Sequence, residues 1–104
     1  MPKIPTPAAQ LSDGSYLFRI VSCVENAGKY GKQEELALVV LDERGEDNGH
    51  LKFWISHESV KAFEMCRKGG ILLVDTESQE WQVKVNCIFN GIVQAGKIVL
   101  ITRA

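Results

Sequence analysis

Apolar and polar residues alternate near the start of the chain, as they do in a strand with one buried face. In residues 15–24, SYLFRIVSCV, the aromatic side chains of Tyr16 and Phe18 are predicted to lie on one face and Arg19 on the other. Asp13 and Gly14, just before this stretch, are typical of a turn. The pattern therefore predicts a first strand that begins near residue 15.

Two more strands are predicted from the same kind of pattern. The segment ELALVVLD, residues 35–42, is apolar on both faces, which predicts a strand at the centre of a sheet. The segment HLKFWIS, residues 50–56, sends its side chains alternately to two faces, with Leu51, Phe53 and Ile55 on one and Lys52 and Trp54 on the other. This alternation predicts that Trp54 points away from the core.

A short helix is predicted after the third strand. Ser56 is placed as its N-cap and Glu58 in its first turn. Apolar residues then recur at helical spacing, namely Val60, Phe63 and Cys66. Arg67 and Lys68 suit the last turn, and Gly69 is predicted to follow the helix. These signals together predict a helix of about three turns.

The rest of the chain is predicted to add two or three strands. ILLVDT and the alternating EWQVKVNCI, residues 71–76 and 80–88, are predicted to form a hairpin, and KIVLITR, residues 97–103, a last strand. Parallel folds need a helix after nearly every strand, and a two-sheet sandwich needs more strands than this length supplies. We therefore predict a mainly β fold: a five- to six-stranded barrel like the oligonucleotide/oligosaccharide-binding fold (OB-fold), with one short helix between strands three and four.

Composition favours one globular domain with a short extension. The chain has 104 residues, of which 45% are hydrophobic. All three prolines fall within the first seven residues, so residues 1–10 are predicted to form a flexible arm and residues 11–104 the barrel domain. No apolar run approaches the roughly 20 residues that span a bilayer, and the first residues do not read as a secretion signal. We therefore expect a cytoplasmic protein without a membrane partner.

The charge balance and the cysteines exclude several classes of protein. Twelve Lys and Arg against 13 Asp and Glu give a formal net charge of -1, so nucleic acid would have to be bound by a local basic face rather than by bulk charge. Cys23, Cys66 and Cys87 are widely spaced, with no CxxC pair and no histidine at a ligand-like offset. This spacing predicts neither a disulfide framework nor a zinc site, and free thiols are typical of a reducing cytosol.

Residues that carry catalysis in other proteins form no known motif here. His50 and His57 have no nucleophile signature near them, and acidic pairs such as Glu34 and Glu35 are predicted to be solvated in turn segments. Gly28 and Gly31 do not form a phosphate-binding loop, because the required strand, loop and helix do not surround them. We therefore expect a protein that is not an enzyme and holds no cofactor and no metal.

Trp54 beside Lys52 is the most informative pair in the sequence. An outward tryptophan next to an outward lysine suits a surface that stacks an unpaired base and contacts phosphate. Two other interpretations stay open: Trp54 packs under the N-terminal arm, or it packs against a second copy of the chain. Trp81 falls in register with apolar neighbours, so it is predicted to be a core or barrel-end aromatic.

Further candidate contacts lie in the first connection and on the strands. Lys29, Tyr30 and Lys32 place an aromatic ring between two cations in the connection between strands one and two. This segment suits a loop that closes over a single strand, and it also suits an ordinary hairpin tip whose neighbouring acidic residues weaken the local positive charge. Arg19 and Lys84 are predicted to face outward and to extend the basic track, although strand cations also serve solubility.

Taken in order, these residues resemble bacteriophage single-stranded DNA-binding proteins of the OB-fold type. The pattern is Asp13-Gly14-x-Tyr16-x-Phe18-x-Ile20, then Lys29 and Gly31-Lys32, then Leu36-x-Leu38-x-Val40, followed by a glycine-containing turn and an aromatic third strand. The resemblance implies base stacking by Trp54 and Tyr30 and phosphate contact by Lys29, Lys32 and Lys52.

Single-stranded DNA binding without catalysis is therefore the expected function. The resemblance implies protection of single strands in replication or recombination, in the cytoplasm of a bacterial or phage-infected cell. The alternative is a protein-interaction or assembly module on the same barrel, in which copies associate and bury Trp54 between them.

Overall fold

The chain is mainly β with one short helix, as predicted, in a computed structural model that describes residues 11–29 and 31–104. Its strands are β1 (Gly14–Gly28), β2 (Gly31–Leu41), β3 (Asp47–Ser56), β4 (Leu72–Asp75), β5 (Glu80–Val83), β6 (Ile88–Gln94) and β7 (Lys97–Arg103). The helix α1 (Val60–Lys68) lies between the third and fourth strands, where the sequence placed it. The predicted arm, residues 1–10, lies outside the described residues.

Five of the strands form one antiparallel sheet in the order β3-β2-β1-β6-β7, and β4 pairs with β5 in a separate hairpin. The first three strands follow one another, and the next strand of the sheet, β6, returns to lie beside β1, which is a Greek-key order. In the described residues no strand pairing joins β3 to β7, so these strands are the two edges of the sheet. The sheet is not closed, and the predicted barrel is not confirmed.

The inner face of the sheet carries the core. Phe18 and Ile20 of β1 are fully buried, as the alternation of that strand predicts, and so are Leu36 and Leu38 of β2. Phe18 also stacks on Phe89 of β6, with ring centroids 5.4 Å apart. Since β2 has β1 on one side and β3 on the other, its prediction as a central strand is confirmed.

One predicted strand is divided in two. Residues 80–88 alternate, yet β5 ends at Val83 and β6 begins at Ile88. The intervening backbone bonds elsewhere: the amide of Lys84 donates to the carbonyl of Ile71 at 2.8 Å, and the amide of Asn86 donates to that of Ile20 at 2.7 Å. The described residues therefore contain seven strands rather than five or six.

The helix begins three residues later than predicted. Ser59 rather than Ser56 is the N-cap, because its hydroxyl accepts the amide of Ala62 at 3.1 Å. Ser56 is instead the last residue of β3. The predicted end is correct: Gly69 caps α1, and Gly70 follows with φ of 78°. Among the described residues, no helix is long and apolar enough to cross a membrane.

Candidate functional site

Trp54 lies on the edge strand β3 with its side chain 48% exposed. Its neighbour Ile55 is fully buried, because successive side chains of a strand point to opposite faces. The prediction that Trp54 points away from the core is thus confirmed. Lys52, two residues earlier on the same face, is also exposed.

Glu35 connects these two side chains. It lies directly opposite Trp54 in the pairing of β2 with β3. One of its carboxylate oxygens, Oε1, accepts a hydrogen bond from Nε1 of Trp54 at 3.2 Å and lies 3.5 Å from Nζ of Lys52. This contact fixes the edge of the indole ring and partly balances the charge of Lys52.

A groove of about 600 Å³ runs along this part of β3. One wall is β3, and the other is the turn between β6 and β7 together with the first residues of β7. The lining residues are Leu51, Lys52, Phe53, Trp54, Gly96, Lys97 and Ile98. The groove therefore lies between the two edge strands of the sheet. It combines two aromatic rings with two lysines, and its walls are otherwise largely apolar.

Phe53 and Lys97 are members of this groove that the sequence did not reveal. Phe53 packs half-buried against the core, on the side of β3 where the alternation places it, and it also lines the groove. Lys97 is exposed and forms no ion pair with any described residue. No local sequence pattern predicts that Lys97 lies at the groove, because the β6–β7 hairpin comes opposite β3 only through the order of the strands in the sheet.

Most other predicted contacts lie outside the groove. Arg19 is on the outer face of β1, with its Nη2 3.2 Å from Oδ1 of Asp47. Lys29 lies in the turn after β1 and Lys32 in β2, three residues and about 10 Å along the strand from Glu35.

Two other predicted residues have different outcomes. Tyr30 lies outside the described residues. Lys84 was predicted to face outward on a strand, but it follows the end of β5 and is half-buried. Lys52 and Trp54 are thus the predicted residues that the structure brings together at the groove.

The chain matches no family model, curated protein or solved structure with which it was compared. The resemblance to phage single-strand binders therefore stays a prediction from its own residues.

A second cluster lies at the end of the sheet where His57 follows β3. Its Nε2 is 2.8 Å from Oε2 of Glu34 and 3.8 Å from Oε1 of Glu25. The sequence placed Glu34 and Glu35 in a solvated turn, but both belong to β2, and the side chain of Glu34 is only 19% exposed. The prediction was wrong because the strand extends to Gly31.

Aromatic and thiol groups border this cluster. Trp81 meets the ring of His57 edge to face, with centroids 5.6 Å apart, and packs half-buried against the core, as predicted. The thiol of Cys23 lies 3.5 Å from Oε1 of Glu34. Burial, followed by this hydrogen bond, raises the pKa of Cys23 to about 11, so the thiol is neutral and a weak nucleophile near neutral pH.

Proposed function

We propose that the chain binds single-stranded DNA, without catalysis, in the groove between β3 and the β6–β7 turn. The observation that carries this proposal is the presence of Trp54, Phe53, Lys52 and Lys97 in one open groove. Aromatic rings offer stacking surfaces to unpaired bases, and lysines attract the phosphates between them. A duplex keeps its bases stacked on one another, so this arrangement favours a single strand.

The order of the strands supports an OB-like arrangement of this site. OB-folds are partly open Greek-key barrels that bind oligonucleotides on strands two and three and on the loops after the first and fourth strands. Here β6 and β7 are the fourth and fifth strands of the sheet in chain order. Their turn supplies Gly96 to the groove, and the loop after β1 carries Lys29.

Affinity in this proposal has two separable sources. Stacking on Trp54 contributes about 1 to 3 kcal/mol per base and depends little on salt. Each phosphate neutralised by a lysine adds about 0.7 to the slope of log affinity against log salt. Glu35 opposes phosphate binding because its carboxylate lies beside Lys52 and Trp54.

The biological role follows from the resemblance in the sequence. A small binder of this kind protects single strands during replication or recombination in the cytoplasm of a bacterial or phage-infected cell. Lys29, Lys32, Tyr30, Arg19 and Lys84 stay candidates for contacts with a strand that extends beyond the groove.

Fluorescence anisotropy with a labelled oligothymidine at several salt concentrations tests the proposal. Trp54→Ala is expected to weaken binding by about 1 to 3 kcal/mol. Lys97→Gln is expected to reduce the salt slope by about 0.7, while Glu35→Gln should strengthen binding. Lys61→Gln, an exposed position on α1, is the matched control for the loss of one charge.

Two results of these measurements would contradict DNA binding in the groove. Wild-type protein that shows no salt-dependent binding contradicts it, and so does a folded Trp54→Ala variant with unchanged affinity. Equal losses in Lys97→Gln and Lys61→Gln would indicate a nonspecific charge effect rather than a groove.

A second function, assembly of copies through the sheet edges, is favoured by the state of β7. This edge strand has no partner on its outer side in the described residues, and Val99 and Leu100 are both close to half exposed. Unpaired edges with apolar side chains favour pairing between chains. Sedimentation decides this point. A folded Leu100→Lys variant that loses apparent mass would favour assembly through β7, and a folded Trp54→Ala variant that does so would favour assembly through the groove.

A further inference from the structure

Three potential metal ligands converge at the end of the sheet where β3 stops, in the cluster of Glu25, Glu34 and His57. One ligand atom from each side chain lies within 4.8 Å of the other two. The convergence follows from the strand register, since Glu25 pairs directly with Glu34 and Ile55 pairs with Glu34 from the other side. His57 comes two residues after Ile55, and its amide donates to the carbonyl of Lys32 at 2.9 Å, which holds it at the end of β2.

The strand register also places two carboxylates, those of Glu25 and Glu34, next to each other. Like charges directly opposite each other on neighbouring strands are destabilising, and Glu25 and Glu34 occupy such a pair. Glu34 is largely shielded from water, so the repulsion is less screened there than at an exposed pair.

The surroundings of the pair add negative charge. A cleft of about 370 Å³ in front of it is lined by Glu25, Glu34, His57, Gln79, Glu80 and Trp81. Among these described lining residues there are three carboxylates and neither a lysine nor an arginine. A cation bound between the carboxylates would offset the repulsion.

The donor atoms indicate which cation fits. One imidazole nitrogen with two carboxylates suits a first-row transition ion such as Zn²⁺, whereas Mg²⁺ prefers an all-oxygen site. Tetrahedral ligands at Zn²⁺ bond lengths of about 2.0 to 2.2 Å are separated by about 3.3 to 3.6 Å. The distances of 2.8 and 3.8 Å from His57 Nε2 to the two carboxylates bracket that value, so small side-chain shifts give bonding geometry.

We infer that Glu25, Glu34 and His57 form a binding site for a divalent transition-metal ion, with Glu80 in reach of the same cleft. The ion would tie the β1–β2 hairpin to the end of β3, because its ligands come from all three places. This inference does not depend on the DNA-binding proposal, since the cluster shares no residue with the groove.

Isothermal titration of the full chain with ZnCl₂, after removal of metals with a chelator, tests the inference near neutral pH. We expect one Zn²⁺ per chain and a melting temperature that rises with Zn²⁺ concentration, because the ion binds the folded state alone. Mg²⁺ at the same concentration should give a smaller shift.

Matched variants locate the site. His57→Gln and Glu25→Gln should each weaken Zn²⁺ binding by more than about tenfold, since even loss of a partner to a ligand costs 10- to 100-fold. His50→Gln and Glu43→Gln make the same chemical changes outside the cluster and should bind as wild type. Glu25 is the more exposed ligand, so Glu25→Gln keeps the test valid if His57→Gln does not fold.

Three outcomes overturn the inference. They are the absence of a Zn²⁺-dependent shift in melting temperature, equal weakening in the control variants, and equal shifts with Mg²⁺ and Zn²⁺. The first would mean that the existing contacts of His57 hold the two carboxylates in place without an ion. Trp54→Ala should keep full Zn²⁺ binding, so failure of the metal site and failure of the DNA site can be told apart.

Discussion

Gly91 of β6 marks a point where the core leaves no room for a side chain. A Cβ atom at this position would lie 2.7 Å from Cε2 and 3.0 Å from Cδ2 of Phe18. Phe18 is fully buried and stacks on Phe89, so its ring cannot move away without disturbing that stack. Gly91 does not have a positive φ, and steric contact is therefore the reason for glycine here.

Two opposing effects set the size of the change in Gly91→Ala. Forcing an extra methyl group into a filled core costs about 1 to 3 kcal/mol. Alanine in a strand interior recovers about 0.5 to 1 kcal/mol of the backbone entropy that glycine loses on folding. We expect a net loss of about 1 to 2 kcal/mol in the free energy of unfolding, and each kcal/mol lowers the melting temperature by roughly 4–8 °C.

Urea denaturation of a double-mutant cycle tests the steric reason directly. Phe18→Leu alone should also destabilise the fold, because it removes a buried ring. In the double variant the smaller leucine makes room for the methyl group, so the combined loss should be less than the sum by about 1 kcal/mol or more. Losses that add within about 0.5 kcal/mol, or a Gly91→Ala variant as stable as wild type, would refute the reasoning.

Two further predictions concern the helix cap and a buried thiol. Ser59→Ala should lower the free energy of unfolding by about 1 kcal/mol, because it removes the hydrogen bond to the Ala62 amide. Ser56→Ala should lower it by clearly less. Equal losses for the two variants in urea denaturation would show that Ser59 is not the N-cap. Burial raises the pKa of Cys66 from 9.0 to about 12, so above pH 9 the unfolded chain holds fewer protons than the folded one. Stability should therefore fall as pH rises above 9, and less steeply in Cys66→Ala; identical pH profiles of the two proteins would contradict this.

The fold could be predicted where a strand has one buried face. Alternation placed Phe18 and Ile20 in the core and Trp54 outside it, because burial alternates with the pleat. The alternation pattern wrongly predicted a continuous strand through residues 84–87. The backbone amides there donate hydrogen bonds to the carbonyls of Ile71 and Ile20, which are distant in sequence. The sequence also did not distinguish Ser56 from Ser59 as the helix N-cap. Ser56 is not the cap because it pairs with Gln33 and so belongs to β3.

Only the β3 side of the groove could be predicted from the sequence. Lys52 and Trp54 are two residues apart on one strand, so the strand period alone puts them together. Lys97 joins them through the Greek-key return of the last hairpin, which is a property of the whole chain. Residues that come together only through the strand order, as Lys97 does, show no periodic pattern in the sequence that would predict their contact.

Glu34 and Glu35 show how strand geometry separates neighbours that look alike in sequence. Both are acidic and adjacent, but the pleat of β2 turns Glu34 inward to His57 and Glu35 outward to Trp54. A net charge of -1 consequently says little about either surface, because each carboxylate acts on a different set of partners. In the two proposals, the carboxylate of Glu35 opposes a bound phosphate, whereas that of Glu34 binds a cation. The two proposals thus assign opposite effects to the same chemical change at consecutive positions: glutamine at Glu35 strengthens ligand binding, and glutamine at Glu34 weakens it.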